Sequence, residues 1–155
     1  MTWAYATHAG IVEVDTKTGR LRIEKYVIVH DCGVVVNPLL VEGQILGGAV
    51  QGLGGALLEE FHYDAEGQLL TGSFMDYLLP TASDIPHIEV IHLHSPSPLN
   101  PLGVKGVGEG SAIAPPVVIA NAVSDALAPF KAEFNATPVK PEQIVRAARA
   151  AGMRR

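Results

Sequence analysis

Glu109 is the acid of the stretch Lys-Gly-Val-Gly-Glu-Gly-Ser-Ala-Ile-Ala-Pro-Pro, residues 105–116. A carboxylate on so bare a backbone can act as a proton acceptor. The flanking glycines permit positive φ and leave backbone N–H groups open to a ligand, and an apolar helical segment follows directly behind. A helix N-terminus would hold such an anion ionised without a salt bridge. From spacing alone, the competing reading is a first-turn acid or capping residue. The stretch is no phosphate-binding Walker loop, because Lys105 precedes the glycines instead of closing them in G-K-[ST], although Gly106 to Gly108 could form an anion-binding nest.

Other chemistry-bearing side chains form no comparable constellation. Six histidines are present, but only His92 and His94 share a strand face, and no H-x-x-x-H pair or adjacent Cys/His set accompanies them. No protein-ligated metal is expected. Cys32, in His-Asp-Cys-Gly at a strand end, has no recognisable partner and reads as a small buried thiol. As the single cysteine it excludes an internal disulfide, and neither a zinc knuckle nor an iron–sulfur centre can be assembled from this chain.

The elements that position Glu109 follow from patterning. At 155 residues and 48% hydrophobic content the chain reads as one globular unit with an ample core. Its 11 Lys+Arg against 16 Asp+Glu give a net charge of −5, with no basic run before the tail Met153-Arg154-Arg155, which argues against nucleic acid as a partner. The N-terminus has no basic region followed by an apolar core, and Val41 to Leu58 is interrupted by Glu42, Gln44 and Gln51. Neither a signal peptide nor a membrane span is therefore expected, and a cytoplasmic setting fits best.

Two segments rich in Val, Ile, Tyr and Thr, joined by Thr-Lys-Thr-Gly, predict an N-terminal β-hairpin. Apolar residues at Val41, Ile45, Leu46, Val50, Leu53 and Leu57 recur at helical spacing behind an Asn37-Pro38 start signal. Six glycines (Gly43, Gly47, Gly48, Gly52, Gly54 and Gly55) lie within that helix, each costing about 1 kcal/mol against Ala. Something must therefore approach too closely for side chains, either another helix or a ligand. Gln44 and Gln51, seven residues apart, share one face. Residues 62–73 predict a short hairpin, 74–86 an irregular or briefly helical connector, and 87–95 a strand that Ile91 suggests is buried on both faces. After the Pro-rich loop 96–103 come an apolar helix ending near Pro129 and a short helix over 141–152, with Pro141 at its start, Glu142 in its first turn and Gly152 at its end. The expected fold is α+β: a hairpin and a small mixed sheet packed with about three helices.

The order of three motifs is more specific than any one of them. "VHDCGVVVNPLLVEGQILGGAVQGLGGALLEE", then "GSFMDYLLPTASDIP", then "NPLGVKGVGEGSAIAPPVVIANAVSDAL" closely resembles the C-terminal end of the molybdenum-binding large subunit of the xanthine oxidase family, which includes xanthine dehydrogenases, aldehyde oxidoreductases and aerobic carbon monoxide dehydrogenases. The bacterial large-subunit type is most similar. The resemblance implies that Glu109 is the general base beside molybdenum. It implies that Gln44 hydrogen-bonds near the metal and pterin, and that Lys105, Gly106, Val107 and Gly108 line the cofactor with Gly43 and Asn37 on the same side. Gln51 is assigned packing or supporting duty. The implied cofactor is molybdopterin, in the cytosine dinucleotide form usual in bacteria, with no direct protein ligand to the metal and none expected on the isolated chain.

Family large subunits run to several hundred residues, so residues 1–155 read as a single C-terminal domain whose upstream portion lies on another chain, whether by a natural split, truncation or excision. Iron–sulfur and FAD subunits or domains complete the implied assembly, and the substrate would be an aldehyde, an N-heterocycle or CO. The alternative expectation is a non-catalytic remnant or assembly module that self-associates into a homo-oligomer and binds no cofactor.

Overall fold

The computed structural model describes residues 2–152; the tail Met153-Arg154-Arg155 lies outside them. Strand β1 (Tyr5–Val14) pairs antiparallel with β2 (Leu21–Asp31), which pairs parallel with β3 (Ile88–His92), giving a mixed sheet in the order β1-β2-β3. The hairpin turn is built by Asp15, whose carboxylate accepts from the Lys17 and Thr18 amides, and by Gly19 at φ +75°. Gly19 must be glycine on two counts: the left-handed backbone, and a Cβ that would strike the Pro141 backbone.

Helix α1 (Pro38–Leu57) begins as the sequence predicts, with the Asn37 side chain accepting from the Leu40 amide at 3.2 Å and Pro38 in the first turn. Its inward stripe of Val41, Ile45, Ala49, Leu53 and Ala56 joins Tyr26 and Ile28 of β2 in the core. Helix α2 (Pro115–Ala126) adds Ile119 and Val123, and α3 (Pro141–Gly152) adds Ile144. Tight packing of α2 on the sheet is visible at Gly10 of β1, where a Cβ would lie 3.2 Å from Val118. Among the described residues the α+β expectation holds: a small mixed sheet with three α-helices.

Two local expectations are modified, and over 74–86 the irregular alternative is the one found. The 62–73 hairpin is reduced to one bridge, Tyr63 to Leu69, around a turn in which Asp64 accepts from the Glu66 and Gln68 amides. The 74–86 connector forms only turns, pinned by Ser73 to Asp76 and Thr81 to Asp84 contacts. Burial of β3 on both faces fails, since Ile91 is 43% exposed: the strand lies at the sheet edge with its partner β2 on one side only.

Candidate functional site

The chain between β3 and α2 is fixed at its start by an interlocked turn. The Asn100 side chain donates to the Val104 carbonyl and accepts from the Val104 amide, while the Gly103 carbonyl accepts from Val34 and Ser97. Gly103 adopts φ +67°, and Gly33 opposite it φ +72°; the two segments approach so closely that a Cβ on Gly33 would meet the Gly103 carbonyl. The Lys105 amide then donates to the Cys32 carbonyl at 2.8 Å. The Lys105 ammonium lies 3.1 Å from Asp31 Oδ1 and 4.3 Å from the Tyr5 ring centroid.

Both members of the Lys105–Asp31 pair are buried, and the same Asp31 oxygen accepts from the Gly33 and Ser95 amides. Burial opposes ionisation of Asp31, but hydrogen bonds from Ser95, the Gly33 amide and Lys105 outweigh it and hold the carboxyl well below the usual carboxylate range. Cys32 is buried with its thiol pushed up by burial and the neighbouring Asp31, so it is a protonated packing residue.

From Lys105 the backbone runs to Gly110 along α1. The Val107 side chain packs onto the core, and Gln44 Nε2 lies 3.5 Å from the Gly108 carbonyl, the outer limit of a hydrogen bond. Glu109 is exposed at the head of a turn whose closing bond runs from the Ala112 amide to the Glu109 carbonyl at 3.1 Å. Gln44 and the Lys105–Glu109 segment, 61 or more residues apart in sequence, are thus brought together, with Gly43 one residue along the same exposed stretch of α1. Asn37 is exposed and spends its side-chain oxygen on the helix cap.

The structure corrects two expectations about the Gly-rich stretch. Glu109 is not a first-turn acid: it precedes Pro115 by six residues, Ala114 occupies the cap position without a side-chain cap bond, and Pro115 and Pro116 remove two of the N–H donors that would make that helix end positive. Nor do Gly106, Gly108 and Gly110 use positive φ, so the alternating nest is not formed. Gly106 and Gly108 instead supply clearance. A Cβ on Gly106 or Gly108 would meet nothing within 4 Å.

The glycines of α1 divide the same way. Gly48 and Gly52 let the turn after Glu109 and the start of α2 approach, a Cβ on Gly52 lying 2.6 Å from the Ala112 carbonyl and 2.7 Å from Pro115; Gly54 is closed by Glu59 and Pro80. Gly43, Gly47 and Gly55 meet nothing within 4 Å, so no contact among the described residues accounts for them. Gln51, assigned packing or supporting duty, is exposed on the same side of α1 as Gln44. Two sets of open glycines, Gly43 and Gly47 on the helix and Gly106 and Gly108 on the loop, flank the Gln44 amide and the Glu109 carboxylate. Flat clearance beside a few polar groups and free backbone suits a bulky pterin group, so the residues present fit the implied cofactor.

Sequence reasoning passed over Asp31 and His30. Asp31 was readable as an acid closing an apolar strand, a position that demands a buried cation. His30 is buried in the central strand beneath Gly110, whose Cβ would lie 2.9 Å from His30 Nε2, and nothing in spacing foretells that contact. Among the described residues no three His, Cys, Asp or Glu side chains converge as a metal-binding group, and no helix is long and apolar enough to cross a membrane.

Comparison with known proteins places these features. Residues 1–86 match the family model described as a molybdopterin cofactor-binding domain. The chain is 49% identical over 140 residues to the nicotine 6-hydroxylase large subunit of Paenarthrobacter nicotinovorans, covering 90% of this chain and 17% of that one. It is 38% identical over 127 residues to the carbon monoxide dehydrogenase large chain of Hydrogenophaga pseudoflava, covering 82% and 16%. Among solved structures, a Cu,Mo-CO dehydrogenase superposes with a TM-score of 0.91 at 33% identity, over 97% of this chain and 19% of that chain. Quinoline 2-oxidoreductase from Pseudomonas putida 86 does so at 0.88 and 47%, over 92% and 18%. The chain therefore spans less than a fifth of the length of these relatives. It belongs to the molybdopterin cofactor-binding domain family and aligns with part of the large chains it matches.

Proposed function

We propose that this chain supplies one wall of a molybdenum hydroxylase active site, with Glu109 as the general base. The observation that carries the reading is the convergence of Gln44 and the Glu109 turn between glycines whose missing side chains face open space. A carboxylate with no partner to its side chain among the described residues is free to accept a proton, and the Gln44 amide has a second N–H to offer a ligand. Molybdopterin, in its cytosine dinucleotide form, would supply the two-electron redox chemistry when bound. Gly43, Gly106 and Gly108 admit it, the Lys105 and Val107 backbone lines it, and Asn37 offers its remaining amide at the rim. Glu109 accepts the proton released as the oxygen of water is committed to an electron-poor carbon of an aldehyde or N-heterocycle, or to CO.

On this reading residues 1–155 form the C-terminal domain of the subunit, an upstream portion provides the other walls, and iron–sulfur and FAD subunits or domains carry electrons away in the cytoplasm. The chain alone does not turn over. Co-expression with the upstream portion and companion subunits should give a molybdenum-containing complex, assayed by dye reduction with nicotine, quinoline, an aromatic aldehyde and carbon monoxide. Glu109→Gln should lower kcat by about 10²–10⁴-fold; near-normal turnover with intact molybdenum content removes the role assigned to Glu109.

A second reading, a module that self-associates without cofactor, is favoured by one observation. Leu39, Phe74 and Met75 are 79%, 83% and 87% exposed, apolar side chains that water disfavours. Sedimentation and molybdenum analysis of the chain by itself separate the two: an oligomer that still binds no molybdenum when the upstream portion is supplied supports the module.

A further inference from the structure

Two consecutive residues at the end of β2 reach opposite ends of the loop that presents Glu109. Asp31 takes the Lys105 ammonium at one end, and the His30 ring lies under Gly110 at the other. The base they stand on is rigid: β2 is the central strand, His30 is in register with Ala6 of β1 and His92 of β3, and its carbonyl accepts from the Leu93 amide at 2.8 Å. The His30 ring is 1% exposed, and neither ring nitrogen has a hydrogen-bond partner among the described residues. The ring thus acts on the loop by shape. Burial, reinforced by His92 and opposed by Asp31, lowers its basicity, so the floor is a neutral imidazole near pH 7.

We infer that His30 is a positioning residue, setting where the Glu109 carboxylate lies by supporting the Cα of Gly110, while Asp31 fixes the far end of the same loop through Lys105. This deepens the general-base reading and rests on it. Gly110 is then glycine for contact, since a methyl there would lie 2.9 Å from Nε2 and 3.7 Å from Cδ2 of the buried His30 ring. A steric contact of this kind makes a specific prediction: enlarging one partner is repaired by shrinking the other.

The test is a double-mutant cycle in the assembled complex, with Gly110→Ala, His30→Ala and both together, read by steady-state kinetics, molybdenum content and crystal structures. Gly110→Ala should lower kcat by about 10–100-fold, the order expected from a misplacement near 1 Å, with KM and molybdenum content little changed. His30→Ala removes the floor and should cost about tenfold. Together they should restore kcat to about the level of His30→Ala, and the crystal structures should show Glu109 displaced in Gly110→Ala and returned in the double variant. Losses that multiply, or a Glu109 that does not move in any variant, overturn the inference. Glu109→Gln is run alongside. If that variant turns over normally, the general-base reading fails while the displacement and its reversal still decide the positioning; if it is inactive while the cycle is flat, the positioning alone fails.

Discussion

Removing the Lys105 ammonium with Lys105→Met isolates the support beneath the site from the site itself. The pair is buried on both sides, and Asp31 Oδ1 also accepts from the Gly33 and Ser95 amides. Lys105→Met leaves a buried carboxylate with two amide donors and no counter-charge; Asp31→Asn leaves a buried ammonium with none. Breaking one side of a buried pair costs about 3–5 kcal/mol. The double change keeps an oxygen for both amides and carries no charge, so its cost should fall to about 1 kcal/mol, that of a lost neutral hydrogen bond. Hydrogen exchange at the Gly33, Ser95 and Lys105 amides reads this locally in the assembled subunit: each single change should lower protection by about 10²–10⁴-fold and the double by about tenfold. The folded pKa of Asp31 lies below its ordinary 3.8, so the stabilisation is complete above that value and disappears as pH falls through the depressed folded value. Lys105→Met removes one cause of that depression, so the Asp31 carboxyl in the variant should take up its proton at a higher pH than in the native chain, and the gap between the two should narrow in acid. Equal, additive losses in the single and double variants would refute the coupling, as would unaltered exchange at Gly33 and Ser95.

Further outcomes follow from the division of the glycines and from the buried side chains. Gly43→Ala, Gly47→Ala and Gly55→Ala place a methyl in open space and should each raise helix stability by about 1 kcal/mol, while Gly43→Ala and Gly47→Ala reduce molybdenum retention in the complex. Gly52→Ala should instead destabilise by about 1–3 kcal/mol in denaturant unfolding, because its Cβ falls on the Ala112 carbonyl and Pro115. His8, held 3.0 Å from the Tyr26 hydroxyl, is lowered by burial and by His30 from 6.5 to about 4, so stability should be full above pH 6.5 and decline as pH falls toward 4. Its imidazole resonance should titrate near 4, and a normal titration near 6.5 would contradict that environment. Cys32 should resist iodoacetamide in the native state and react in urea; rapid native labelling would show that its thiol is not buried as described.

What was legible in the sequence was whatever a single segment decides by itself. The Val, Ile, Tyr and Thr enrichment of β1 and β2, the Asn37-Pro38 start of α1 and the Pro141 to Gly152 punctuation of α3 are local signals, and each element formed where the signal stood. The three motifs carried the family because they recur in a fixed order across residues 29–127. What the sequence could not show depends on which distant segment arrives. Six glycines in α1 looked alike, yet Gly48 and Gly52 are spent on the turn after Glu109 and on α2, Gly54 on Glu59 and Pro80, and the other three face nothing. Ile91 looked buried because an apolar residue in a short strand carries no mark of whether that strand lies at the centre or the edge of its sheet.

Glu109 shows the same limit at the site. Its spacing before an apolar helix suggested a helix-end anion, but residues 110–114 intervene before α2 begins at Pro115, while His30 lies under the adjacent Gly110 and Gln44 reaches the Gly108 carbonyl on the other side. The position of Glu109 is set by β2, whose last two residues support both ends of the loop, and by α1, whose open glycines keep the space beside it clear. A substitution in β2, far from Glu109 in sequence, should thus perturb proton transfer more than one at Ala114 or Pro116, the positions from which a helix-terminus effect would have to act.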